Sequence, residues 1–165
     1  MKRFLAIAIP VFIIGFVAGN AFWYLASPLW IDNVVEEALP DELMVSVVRE
    51  GMFQGADRAH QGTGTAMQLE TPTGASIIRF SEFEVTNGPD LEVWLVADPA
   101  PANSRAVLNS EWVSLGLLKG NIGDQNYVVP DDVDLTQFGS VVIWCEDFSV
   151  LFATATLTPP SLVVE

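Results

Sequence analysis

After Met1-Lys2-Arg3, the 22 residues from Phe4 to Leu25 contain no charged side chain. A helix of that length, at ~1.5 Å per residue, reaches roughly 33 Å, enough to cross the hydrocarbon core of a bilayer. The run predicts a transmembrane anchor over residues 4–26 behind a short tip, residues 1–3. Pro10, Gly15, Gly19 and Asn20 interrupt it, but membrane helices tolerate such residues. Lys2 and Arg3 predict a cytoplasmic N-terminus. The chain is then a single-pass protein of the cell membrane, with its C-terminal bulk periplasmic or extracellular. A cleaved signal peptide is the rival reading. Its apolar core spans about 7–15 residues and ends in small residues, whereas Phe22, Trp23 and Tyr24 are bulky. Trp23, Tyr24 and Trp30 suit an aromatic belt at the outer interface. A lipoprotein anchor is excluded, since no cysteine lies near the N-terminus. Gly15 and Gly19 match the small-xxx-small pairing pattern once, a pointer to a homodimer that the general frequency of glycine in membrane helices also explains.

The chain carries 7 basic and 21 acidic residues, for a net charge of −14; without Lys2 and Arg3, the part beyond the anchor has 5 basic against 21 acidic, or −16. A field of that sign repels nucleic acid, which is excluded as a partner, and favours cations or basic proteins. A soluble acidic surface accounts for the charge equally well. Residues 27–44 read as an acidic stem. Pro28 and Pro40 punctuate it, and Asp32 stands where it can cap a short helix carrying Val34, Val35 and Ala38. This stretch is expected to be a spacer.

Residues 45–157 are enough for one small domain, followed by a tail, residues 158–165. Short apolar runs broken by turns predict strands at Val45–Val48, Thr63–Leu69, Ser76–Val85, Leu91–Ala97, Trp112–Leu118, Tyr127–Val129, Ser140–Cys145 and Phe148–Leu157. Gly51, Thr71-Pro72-Thr73-Gly74, Asn87-Gly88-Pro89-Asp90, Pro99 to Asn103 and Gly120 to Asp124 are the expected turns. In Asn87-Gly88-Pro89-Asp90, Gly88 is expected to supply a positive φ, Pro89 to fix its own, and Asn87 and Asp90 to bond back to the chain. No segment beyond the anchor sustains a helical apolar period. The fold class is all-β: an antiparallel β-sandwich or barrel behind one transmembrane helix.

Cys145 is the single cysteine, so no internal disulfide is available. It is buried and inert, paired between chains, or present for its chemistry. On a strand, Val141, Ile143 and Cys145 share one face while Val142, Trp144 and Glu146 share the other. Alignment with Val and Ile favours the core, where thiols act as small hydrophobes. Glu146 and Asp147 should raise the thiol pKa.

Several segments, in order, resemble the DM13 domain: Gly51-Met52-Phe53; His60 with Gly62-Thr63-Gly64-Thr65-Ala66; Phe83 ahead of Asn87-Gly88-Pro89-Asp90-Leu91; Leu115 to Asn121; Gly123 to Tyr127 with Pro130; Ile143-Trp144-Cys145-Glu146; and Phe148 to Ala155. The resemblance covers about Val45 to Leu157. It implies a mostly β module proposed to take part in electron transfer, with the characteristic cysteine at Cys145 as a free thiol or a ligand to a prosthetic group such as haem. Asn87, Gly88, Pro89, Asp90, Lys119, Gly120, Asn121, Tyr127 and Trp144 fall on motif positions and are expected to be structural. No DOMON or cytochrome b561-type partner domain is recognised in the chain, so any electrons must come from another protein.

Other chemistries fit less well. His60 is the single histidine, whereas blue-copper sites need two beside the cysteine. C-x-x-C-H, the signature of covalent haem, is absent. Non-covalent haem on Cys145, His60 or a methionine has no sequence signature, and a loop-borne His60 after Asp57-Arg58-Ala59 is more often solvated than a ligand. No G-x-S-x-G marks a hydrolase, and one His and one Cys are too few for structural zinc. Asp90, Asp124, Asp131, Asp132 and Asp134 offer oxygen ligands but lack the EF-hand register and read as solvated turns; no metal site is assigned. Lys119 is expected to reach a carboxylate as an anchor. Trp94, Trp112 and Trp144 suit strand positions in or beside the core. The function expected is an extracytoplasmic DM13-type redox module centred on Cys145, served by an unidentified electron donor. The alternative is a non-catalytic binding or assembly module with a buried structural cysteine.

Overall fold

The computed structural model describes residues 2–27, 31–39 and 44–160. Pro28 and Trp30, residues 40–43 of the expected stem and residues 161–165 of the tail lie outside the described residues. The chain divides into two compact units, Met1–Ile31 and Asp32–Glu165.

The first unit is one helix, α1 (Lys2–Ala26), continuous through Pro10. Its window Ala6–Trp23 is long and apolar enough to cross a membrane, and no part of that window is buried.

The second unit is a mostly antiparallel sheet wound into a nearly closed barrel, so of the two architectures expected the barrel is the one formed. Its strands are β1 (Ser46–Gly55), β2 (Gly62–Glu70), β3 (Ser76–Val85), β4 (Leu91–Val96), β5 (Trp112–Leu117), β6 (Gln125–Val128), β7 (Ser140–Cys145) and β8 (Val150–Thr156). They run in the order β5-β4-β7-β8-β1-β2-β3-β6. All eight expected strands are present, β3 and β7 with the expected ends. The barrel is filled by Phe53, Phe80 and Phe83, whose rings meet edge-on or tilted at 4.8–5.0 Å, together with Tyr127, Val141, Ile143 and Cys145. A second cluster, on the outer face of β4, β7 and β8, gathers Trp94, Val96, Val107, Val142, Trp144 and Leu151. Val107 reaches it from α2 (Ser104–Leu108), whose N-cap Asn103 accepts from the Ala106 N–H at 3.1 Å. At five residues this helix is too short to print a helical period on the sequence.

Three expectations are corrected. Gly51 lies inside β1, paired with Ala66, not in a turn; glycine serves there because a Cβ would collide with the Thr156 carbonyl. Residues 31–39 form no helix: Val34 bridges to Ile122, and the Val35 and Glu37 amides donate to the carbonyls of Ile122 and Asp124, each at 2.9 Å. The segment from residue 32 to residue 39 therefore lies along the barrel instead of standing free as a spacer.

Candidate functional site

Strand β7 pairs on both sides, with β4 and with β8, and every one of its residues is buried. Its alternation sends Val141, Ile143 and Cys145 into the barrel and Val142 and Trp144 outward, as the residue pattern predicts. Cys145 is 0 % exposed. Its Sγ donates to the Pro89 carbonyl at 3.1 Å, and the Asp90 carbonyl accepts from the Glu146 N–H at 3.0 Å. The Asn87–Asp90 turn thus closes over the end of β7. Burial pushes the thiol pKa up, outweighing the opposing effect of the Phe148 backbone, and the nearby charges of Asp147 and Asp90 add to the rise. Such a thiol is a poor nucleophile and a poor metal ligand, since both roles need the thiolate.

The turn itself works differently from the expectation. The positive φ (47°) is on Asp90, not Gly88, and Asp tolerates that region. Gly88 is required by proximity: a Cβ there would stand 2.7 Å from Cζ of Phe152. Asn87 does not bond back to its own turn; its Nδ2 donates to Asp32 at 2.8 Å.

His60 packs on Phe152 as well, its ring centroid 4.4 Å from the phenyl ring. Its Nδ1 contacts both Asp57 carboxylate oxygens, at 2.9 and 3.0 Å. Among the described residues no hydrogen bond or ring contact joins His60 to Cys145, and no group of three or more His, Cys, Asp and Glu is able to hold a metal. A sealed, protonated thiol does not fit a haem ligand. A groove of about 510 Å³ between β1, β8 and Ala100-Pro101-Ala102 includes neither residue.

The remaining motif positions converge on the segment from residue 32 to 39. Asp32 accepts from Asn87 and from Asn121, at 2.8 and 2.9 Å, and these bonds hold its carboxyl below the usual range. Lys119 Nζ donates to both Glu37 oxygens (2.8 and 2.9 Å) and to the Asn126 carbonyl (2.7 Å), which lowers the Glu37 pKa. Gly120 leaves room for this segment, since a Cβ would collide with the Asn33 carbonyl. Arg79 adds bonds to the Glu37 carbonyl and to Asp124. The buried Tyr127 hydroxyl accepts from the Lys119 N–H at 3.0 Å and donates to Gln125 at 2.7 Å; burial raises its pKa.

On the outer face, Trp144 stacks on Trp94 and Trp94 on Trp112. Trp94 Nε1 donates to Glu92 Oε2 at 2.7 Å, and Trp144 Nε1 donates to Glu146 Oε2 at 3.0 Å. The pairing of each indole with a glutamate was available in the sequence as Glu92-x-Trp94 and Trp144-x-Glu146, the spacing that puts two strand residues on one face. The docking of Asp32 and Glu37 had no such local signal.

Compared with known proteins, the chain matches the family described as Electron transfer DM13 over residues 52–157, well over half of its length. No curated protein and no solved structure matches it.

Proposed function

The chain belongs to the DM13 family, and from that premise we propose that it is a membrane-tethered electron-transfer module in which Cys145 is a sealed structural thiol. In this reading α1 is the anchor, the N-terminus is cytoplasmic and the barrel faces the periplasm or the exterior. The observation that carries the assignment of Cys145 is its complete burial with the Sγ–H on the Pro89 carbonyl. A version centred on Cys145 would need the Asn87–Asp90 turn to open and the thiol to ionise against two neighbouring carboxylates. The acidic exterior supports a cationic electron donor or acceptor.

The alternative, a non-catalytic binding or assembly module, draws on the same closed thiol and keeps a place for anchor pairing through Gly15 and Gly19. An absorption spectrum with metal analysis and a mediated redox titration separate these readings, taken on the full chain purified from its native membranes beside Cys145→Ala. Electron exchange with a one-electron mediator that survives Cys145→Ala is the expected result. A visible band or stoichiometric iron or copper that disappears in Cys145→Ala would overturn the sealed-thiol assignment. A protein inert to every mediator would favour the binding module.

A further inference from the structure

The three tryptophans of the outer face form a continuous stack from interior to solvent. Trp144 is 0 % exposed, Trp94 2 % and Trp112 44 %. The Trp144 and Trp94 centroids lie 4.9 Å apart with planes at 27°, and those of Trp94 and Trp112 lie 3.9 Å apart at 9°. The register produces this stack: Trp94 faces Val142 on β7 and Ser114 on β5, which sets Trp112 two residues along and Trp144 two residues along on the opposite side. Burial explains why each inner indole N–H has a partner. It does not require that both partners be carboxylates, acceptors that also take up a proton. Glu92 Oε2 is held on Trp94 by a further bond from Ser114 Oγ at 2.7 Å.

We propose that Trp112, Trp94 and Trp144 carry single electrons between solvent and the buried outer side of β7, with Glu92 and Glu146 as the proton acceptors. The inference rests on the electron-transfer reading and adds the residues that conduct. A cationic, high-potential one-electron oxidant docks at Trp112 and takes one electron, being reduced by one. Trp94 refills Trp112 and becomes a radical cation, a strong N–H acid; its proton passes to Glu92, leaving a neutral indolyl radical beside a neutral carboxyl group. An electron from Trp144, with transfer of its proton to Glu146, and return of the Glu92 proton to Trp94 move the hole inward. A one-electron reductant, with return of the proton, restores the stack.

The test is flash–quench oxidation of the full chain in detergent by a tris(bipyridine)ruthenium(III) complex. The parent carries Trp23→Phe and Trp30→Phe, so that the anchor region contributes no indole signal. The expected result is a neutral tryptophan radical with a slower rise in heavy water. Trp112→Phe should slow reduction of the ruthenium by an order of magnitude, and Glu92→Gln combined with Glu146→Gln should prolong the protonated radical cation before the neutral radical appears. Reduction rates unaffected by Trp112→Phe, or a radical lost in Cys145→Ala, would overturn the route. If the stack stays silent while the native-membrane protein still exchanges electrons with mediators, the route fails and the electron-transfer reading stands. A conducting stack in a protein inert to mediators of ordinary potential would do the reverse. Trp112→Phe is a conservative change at a half-exposed position, so its fold is checked by the unfolding midpoint in the same preparation.

Discussion

Val141, Ile143 and Cys145 leave strand β7 toward the barrel interior, whereas Val142 and Trp144 leave it toward an outer cluster with Trp94, Val96, Leu151 and Val107 of α2. Both sets are buried, yet their connections to solvent differ. The inner set ends at a thiol closed off by the Asn87–Asp90 turn. The outer set continues by ring stacking to an indole that water reaches. One strand therefore separates a chemically reactive atom that is shut in from a less reactive group with a path out. A reactive residue type is not by itself a reactive site.

Replacing Trp144 by Ala should give the largest effect on this contrast. It removes a fully buried indole stacked on Trp94 and should cost ~3–5 kcal/mol, read as a fall in the denaturant midpoint. Cys145→Ser breaks the inner side instead. A hydroxyl among Val141, Ile143 and the barrel phenylalanines should cost about 1–3 kcal/mol; an unchanged midpoint would mean that the site is not core. Alkaline titration sharpens the same side. The folded barrel keeps the Tyr127 proton that the unfolded chain releases above about pH 10. The folded state then binds more protons, so stability should fall as pH rises through that value, and Tyr127→Phe should flatten the decline. The smallest effect is expected where contacts are open to water. Lys119→Met removes the bond to Glu37, and both side chains are partly exposed, so screening limits the loss to ~0.2–1 kcal/mol.

Much of the barrel was legible because β-structure writes itself locally. The ends of β3 and β7 follow from runs of alternating or continuous apolar residues bounded by turn residues, and both faces of β7 follow from the two-residue period. Order among strands is not local, which is why sandwich and barrel stayed open. The segment from 32 to 39 was misread for the same reason. Its hydrogen-bond partners lie far away in sequence, from Arg79 and Asn87 to Lys119, Asn121 and Asn126, so its acidic, proline-flanked sequence looks like a solvated stem. Asn87 and Gly88 were read as turn chemistry because the turn is visible in sequence and its neighbours, Asp32 and Phe152, are not. At the site, the burial of Cys145 was legible from Val141 and Ile143, while the carbonyl that accepts its proton was not.

The most direct test of the sealed thiol is the rate at which Cys145 reacts with a small maleimide in the folded full chain and again in denaturant. A sealed thiol should show no labelling until the barrel unfolds, with the folded rate tracking the opening equilibrium and insensitive to reagent size. Prompt labelling of the native protein at the rate of a free thiol would contradict it and return Cys145 to the centre of the chemistry.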